Sequence, residues 1–135
     1  MLNLTIEHEE AAVPVAVIRF EGELDQSNYL SLIDRARELR DSGTRNVVLD
    51  LSELTYMGSS GIFALRSIVI VLAGDEPPDP EGGWGAVHEM DGRSDDVSRV
   101  KLLNPQPSVD RVLERTGMKR YFETFTDRAA AVAAF

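Results

Sequence analysis

Residues 46–62 read Asn46-Val47-Val48-Leu49-Asp50-Leu51-Ser52-Glu53-Leu54-Thr55-Tyr56-Met57-Gly58-Ser59-Ser60-Gly61-Ile62. The first six form a nearly continuous apolar run, the pattern of a short strand covered on both faces rather than one. A central strand is therefore predicted over 46–51, with Ser52 to Met57 as a connection. Beyond the turn Gly58-Ser59-Ser60-Gly61, the run from Ile62 to about Leu72 predicts a helix, and either serine is suited to cap it. A buried strand that delivers two hydroxyls to the start of a helix marks this turn as the centre of function.

Upstream, residues 2–7 and 14–20 read as strands, the second being the β-branched stretch Pro14-Val15-Ala16-Val17-Ile18-Arg19-Phe20. Gly22-Glu23-Leu24-Asp25 closes it. Asp25 or Ser27 can cap a helix with Tyr29, Leu32, Ile33, Ala36 and Leu39 on one face and Gly43 as its stop. Downstream of Gly74 the composition changes. Pro77, Pro78, Pro80, Gly82, Gly83 and Gly85 break regular structure, and residues 74–98 are predicted to be an insert. Its eight acids against the single Arg93 hold all but two of the nine net negative charges, so the acidity belongs to this segment and not to the fold. Structure resumes with a strand at Arg99 to Leu103, stopped by Asn104-Pro105. A helix follows with Val109, Val112 and Leu113 inward and Gly117 at its end. Tyr121 to Phe125 reads as a last short strand, and Thr126 as the cap of a helix over 127–135.

This order predicts one α/β domain spanning residues 1–135: a mixed, mostly parallel sheet of about five strands with one antiparallel strand, and about four helices. The chain's 135 residues, 43% hydrophobic, suffice for one core and not for two ordinary domains. The 14 basic residues are scattered among 23 acidic ones with no basic run, which argues against a nucleic-acid partner. No cysteine is present, so disulfides and thiolate chemistry are excluded, and the composition is compatible with a reducing compartment. The start lacks the basic and apolar regions of a signal peptide. The most apolar stretch, Ile62 to Ala73, is interrupted by Arg66 and is shorter than the roughly 18 residues a membrane span needs. A cytoplasmic location without membrane insertion is expected.

Asp50-Leu51-Ser52 followed by Met57-Gly58-Ser59-Ser60-Gly61, with Gly22-Glu23-Leu24-Asp25 upstream and Asn104-Pro105 downstream, resembles the STAS domain family, bacterial anti-sigma factor antagonists in particular. The likeness covers almost all of the chain except residues 74–98. It implies binding to an anti-sigma factor that is also a serine kinase, release of the sigma factor and so control of transcription, and an end to binding when a serine at the start of the second helix is phosphorylated. That serine falls on Ser59, with Ser60 the lesser candidate. Glu23, Asp25, Gly58, Ser59, Ser60, Gly61 and Ile62 are the implied partner contacts. A helix N-terminus, with open N–H groups and a positive dipole end, suits a phosphate. The added charge would repel a partner fitted to the neutral hydroxyl. Most family members have Asp where this chain has Gly58, which leaves a second reading open: a STAS interaction module, a stress-sensing scaffold or a soluble transport component, in which Ser59 is never modified.

Other chemistries fit less well. Gly58-Ser59-Ser60-Gly61 lacks the spacing of a nucleophile elbow, and the two histidines, His8 and His88, lie far from it in sequence, so a hydrolase using Ser60 is disfavoured and no enzyme activity is expected. His88-Glu89 with Asp91 offers donor atoms for a metal but no preformed geometry, and Gly82-Gly83-Trp84-Gly85 lacks the Lys-Ser/Thr of a phosphate-binding loop. No cofactor is expected. The helix over 62–72 is apolar on nearly all sides, so something must cover its outer face: the insert through Trp84 and Val87, a partner protein, or a second copy in a homodimer.

Overall fold

The computed structural model describes residues 2–77 and 99–135. Five strands form one sheet in the order β1-β2-β3-β4-β5, with β1 at Leu2–Glu10, β2 at Pro14–Leu24, β3 at Val47–Met57, β4 at Val100–Leu103 and β5 at Thr124–Phe125. The hairpin of β1 and β2 is antiparallel, and every other neighbouring pair is parallel, as the alternation of strands and helices after the hairpin predicts. Four helices complete the described residues: α1 (Tyr29–Asp41), α2 (Ser59–Leu72), α3 (Pro107–Arg115) and α4 (Arg128–Ala133), with a 3-10 turn at Met118–Tyr121.

Two apolar clusters lie on opposite faces of the sheet. On one, Ile18, Phe20, Leu49, Leu51, Val100 and Leu102 meet the inward residues of α1, α2 and α3, and Leu2, Leu4 and Ile6 of β1 join from the edge. On the other, Val15, Val17, Val48 and Leu103 meet Ala131 and Val132 of α4. Strand side chains alternate between faces, so β3 in its first half supplies both clusters from one apolar run. The expectation of a strand covered on both sides is thereby met.

The outer face of α2 does not await a partner. Every residue from Gly61 to Leu72, Arg66 and Ser67 included, is buried within the chain. Tyr29 of α1 meets Phe63 edge-on at 6.1 Å, and the Arg66 guanidinium lies 5.3 Å from the ring centre of Tyr121 in the 3-10 turn. The expected homodimer through residues 62–72 is therefore corrected: these side chains are core. Trp84 and Val87, the other proposed cover, lie outside the described residues, as do the possible metal ligands His88, Glu89 and Asp91 and the glycines of 82–85.

Several boundaries differ from the sequence reading. β3 runs on to Met57 because Leu54 and Met57 still point into the core while Glu53, Thr55 and Tyr56 face solvent. The last strand shrinks to Thr124–Phe125, since Gly117, at φ 76°, turns the chain into the 3-10 segment first. Asp127, not Thr126, caps α4, its carboxylate accepting from the Ala130 N–H at 3.0 Å.

Beneath α4, Lys101 is a buried cation, with its ammonium 2.8 Å from Glu123 and 4.7 Å from the ring centre of Phe135. Removing one partner of such a pair costs more than replacing both by apolar groups, because the remaining charge stays desolvated. Glu123 is itself largely exposed, which moderates the effect. Glu123→Ala is expected to lower stability by about 1–2 kcal/mol, and Lys101→Met in that background to restore most of the loss, as read from urea denaturation midpoints.

Candidate functional site

The parallel strands β2 and β3 end together, with Leu24 opposite Met57 and Glu23 opposite Tyr56. Two irregularities in their register, after Arg19 and after Gly22, bring this about, and Gly22 sits at φ 112°, a conformation that favours glycine. The result aims Leu24 inward and leaves Glu23 exposed beside Tyr56. The Gly58 N–H then donates to the Leu24 carbonyl at 3.3 Å, tying the start of α2 to the end of β2.

Gly58 is the residue just before α2, and no side chain caps the helix, contrary to the expectation that Ser59 or Ser60 would do so. Both serines occupy the first helical turn instead. The Gly58 carbonyl accepts from the Gly61 and Ile62 N–H groups at 3.0 and 3.4 Å, whereas the N–H groups of Ser59 and Ser60 head the helix with no preceding turn to supply an acceptor. The Ser59 side chain is exposed and that of Ser60 half-buried. No acidic residue stands in the first turn, so the positive end of the helix is not offset locally. This arrangement offers a solvent-facing hydroxyl within reach of two open donors.

Gly61 explains how the turn sits so low. A Cβ there would overlap Met57 Cγ and come within 3.2 Å of Leu24 Cδ2. Gly61 is buried and Ile62 is wholly inaccessible, so the expectation that these two touch a partner is corrected: they seat the turn and do not face outward.

Asp25 also plays a different part from the one expected. Its carboxylate accepts from the Ser27 backbone N–H at 2.9 Å and from the Ser27 hydroxyl, and α1 begins after Asn28 without a side-chain cap. Asn28 braces the loop instead, accepting from the Asp25 N–H at 3.0 Å and donating to the Glu23 carbonyl at 2.9 Å. The hydroxyl of Ser27, with its backbone N–H, holds the Asp25 carboxyl below the usual aspartate value.

Sequence reasoning missed Tyr56 and Leu30. They are the large apolar side chains most exposed among the described residues, at 51% and 50%. Leu30 lies in the first turn of α1, next to Tyr29, which packs on Phe63 of α2. The Tyr56 ring leans over Gly58, where a Cβ would lie 3.1 Å from its hydroxyl. Simple alternation does not foretell this exposure: the second register irregularity leaves Leu54 and Met57 inward and both Thr55 and Tyr56 outward. The N-terminus of α3 closes the same end of the sheet: the Gln106 amide donates to the Ser52 carbonyl at 2.7 Å and the Ser108 hydroxyl to that of Thr55 at 3.1 Å.

An open cleft of about 680 Å³ lies at the opposite end of the sheet, with His8, Glu10, Gly43 and Arg45 in its lining. The Arg45 guanidinium is committed to the Arg40 and Thr44 carbonyls. Among the described residues no cluster of His, Asp and Glu could hold a metal ion, and no helix is long and apolar enough to cross a membrane.

Three outcomes are expected. Gly61→Ala should destabilise the protein on balance, because overpacking costs about 1–3 kcal/mol against about 1 kcal/mol of helix propensity gained. Gly58→Asp should fold, with the exposed Tyr56 tip giving way, and gain a few tenths of a kcal/mol from the new cap; denaturation midpoints check both. Because the folded-state pKa of Asp25 is depressed, the stability it contributes is present above the usual aspartate value and lost as pH falls through the depressed one. In Ser27→Ala, the Asp25 carboxyl should titrate at higher pH by NMR.

The sequence matches the STAS domain model over residues 5–73, just over half of the chain. No curated protein matches the sequence significantly. Among solved structures, the chain resembles an anti-sigma factor antagonist from Mycobacterium paratuberculosis at 16% identity and a TM-score of 0.67, covering 99% of this chain and 93% of that one. It is also similar to the anti-sigma factor antagonist SpoIIAA in its unphosphorylated form, at 21% identity and a TM-score of 0.57, covering 93% and 92% of the two chains. SpoIIAA of Bacillus in its phosphorylated form aligns at 20% identity and a TM-score of 0.54, covering 97% of this chain and all of that one. At these identities the structural likeness speaks for the fold, and the family match rests on the strand, turn and helix from which the site is built. This chain belongs to the STAS domain family.

Proposed function

We propose that the chain acts as one regulatory binding domain of the anti-sigma factor antagonist kind, with no catalysis of its own. It would bind an anti-sigma factor in the cytoplasm through the face around Ser59, and phosphorylation of Ser59 by that partner's kinase activity would end the binding. The observation that carries this reading is the exposed Ser59 hydroxyl in the first turn of α2, beside Tyr56 and Glu23 and above two open N–H groups. A phosphoryl group there meets the helix dipole and those donors, so the fold can bear it without rearrangement. In a contact surface the same group adds a charge of about −2 and its hydration, enough to eject a partner fitted to a hydroxyl. A relative of similar fold is known in both phosphorylated and unphosphorylated forms, which supports the assignment.

One feature favours the second reading, a STAS interaction module that is never phosphorylated. Gly58 stands where the family resemblance implies Asp, and the Tyr56 ring occupies the space such a side chain would enter. A kinase that recognises the turn through that carboxylate would find an aromatic surface instead. Incubation with ATP and a kinase-type anti-sigma factor separates the two. Gain of one phosphoryl group at Ser59, absent in Ser59→Ala, together with loss of binding, supports the switch. Stable binding with no gain of mass assigns the scaffold role.

Tyr56→Ala is expected to weaken partner binding by about 2 kcal/mol or more, as central aromatic contacts do, while leaving the denaturation midpoint nearly unchanged because half of the side chain is in water. Titration calorimetry reads the first quantity and urea unfolding the second. Ser59→Asp should bind more weakly than wild type, and Ser59→Ala should bind but not be released by ATP.

A further inference from the structure

α4 follows β5 at one edge of the sheet, yet its first residue, Arg128, pairs with Glu9 at 2.8 Å and Glu7 at 3.1 Å on β1, the opposite edge. Between those points the helix covers Val15, Val17, Val48 and Leu103, all buried, and of its own six residues only Ala131 and Val132 are buried. Six residues do not hold a helix in water by themselves, so α4 exists only where the sheet supports it. Thr126 and Asp127, both exposed, join it to β5.

We propose that α4 is a hinged cover, which opens about Thr126 and Asp127 while the main core stays folded, and that two cations set its balance in opposite senses. Arg128 is the latch. Its ion pairs with Glu7 and Glu9 exist only when the helix is down, and both are partly exposed, so each contributes modestly. Lys101 works against the latch. With α4 down, Glu123 and the Phe135 ring take the place of water around its ammonium, and burying an ammonium costs more than one ring contact returns. Phe135 follows α4 and leaves with it, whereas Glu123 precedes β5 and stays beside Lys101. The cost of uncovering four apolar side chains is thus offset in part by rehydrating one cation.

Opening leaves the Ser59 turn in place, because that turn rests on Met57 and Leu24, which belong to the cluster on the other face of the sheet. The cover thus requires nothing of the phosphorylation reading, and each can fail alone.

Native-state hydrogen exchange of the full chain tests the cover. The Ala131 N–H, bonded to the Asp127 carbonyl at 3.0 Å when the helix is down, should exchange about tenfold or more faster than the amides of α2, and with a weaker dependence on urea because less surface is exposed. Ile68→Val, confined to the main core, should speed exchange across α2 and leave Ala131 unchanged. Arg128→Gln should speed exchange at Ala131 about threefold to tenfold. Lys101→Met should slow it about threefold or more, whereas a Lys101 that held the helix down would give the opposite sign. Circular dichroism checks that each variant folds. The chain has no cysteine, so lone thiols give a second reading. Val48→Cys, under α4, should react with a thiol reagent faster than Val47→Cys, its neighbour on the other face of β3; fraying of the helix alone would leave both protected. Exchange at Ala131 that follows α2 in rate, urea dependence or response to Ile68→Val, no effect of Arg128→Gln, unchanged or faster exchange in Lys101→Met, or equal labelling of the two thiols would overturn the proposal.

Discussion

The contact of Gly61 with Met57 and Leu24 sets the height at which α2 enters the core. Because no side chain stands between them, the first turn of the helix rests on the ends of β2 and β3, and the Gly58 N–H can reach the Leu24 carbonyl. Ser59, two residues earlier and on the outer side of the same turn, is held in water by that seating. Glycine in a helix costs about 1 kcal/mol relative to alanine, so its presence here reflects the close approach and not the helix. The residue that defines the exposed site is thus a buried one.

The helix beyond that turn is buried within the chain along its length, with α1 packed beside it, and its only charged residue, Arg66, lies against Tyr121. An all-apolar helix is what such a central position demands. Periodicity alone could not separate a core helix from one awaiting a partner, because both omit a polar face. The distinction depends on how many neighbours pack around it, which is a property of topology. Here the burial of every residue from Gly61 to Leu72 within the chain decides for core.

The central strand, the strand directions and the position of the serine turn were legible in the sequence, since they follow from apolar runs, turn residues and element order. What was not legible depended on contacts between distant segments. Tyr56 was hidden because the strand looked finished at Leu51 and because an irregularity in its pairing with β2 turns both Thr55 and Tyr56 outward. Asn28 took the place expected of Asp25 because one side chain can both accept from the Asp25 N–H and donate to the Glu23 carbonyl, which Asp cannot do. The strand expected over 121–125 lost most of its length to the turn at Gly117, where β4, only four residues long, has little edge left to pair.

The 14 residues of α2 carry the chain about 21 Å from the Ser59 turn, and where the helix ends Glu76 pairs with Arg37 and Arg40 of α1 before the chain continues toward β4. The connection from α2 to β4 is therefore attached at the far pole of the molecule from the turn. Closing a longer connection costs only logarithmically in its length. A change in the length of that connection is therefore borne with little penalty and leaves the seating of the Ser59 turn, at the other end of the helix, untouched.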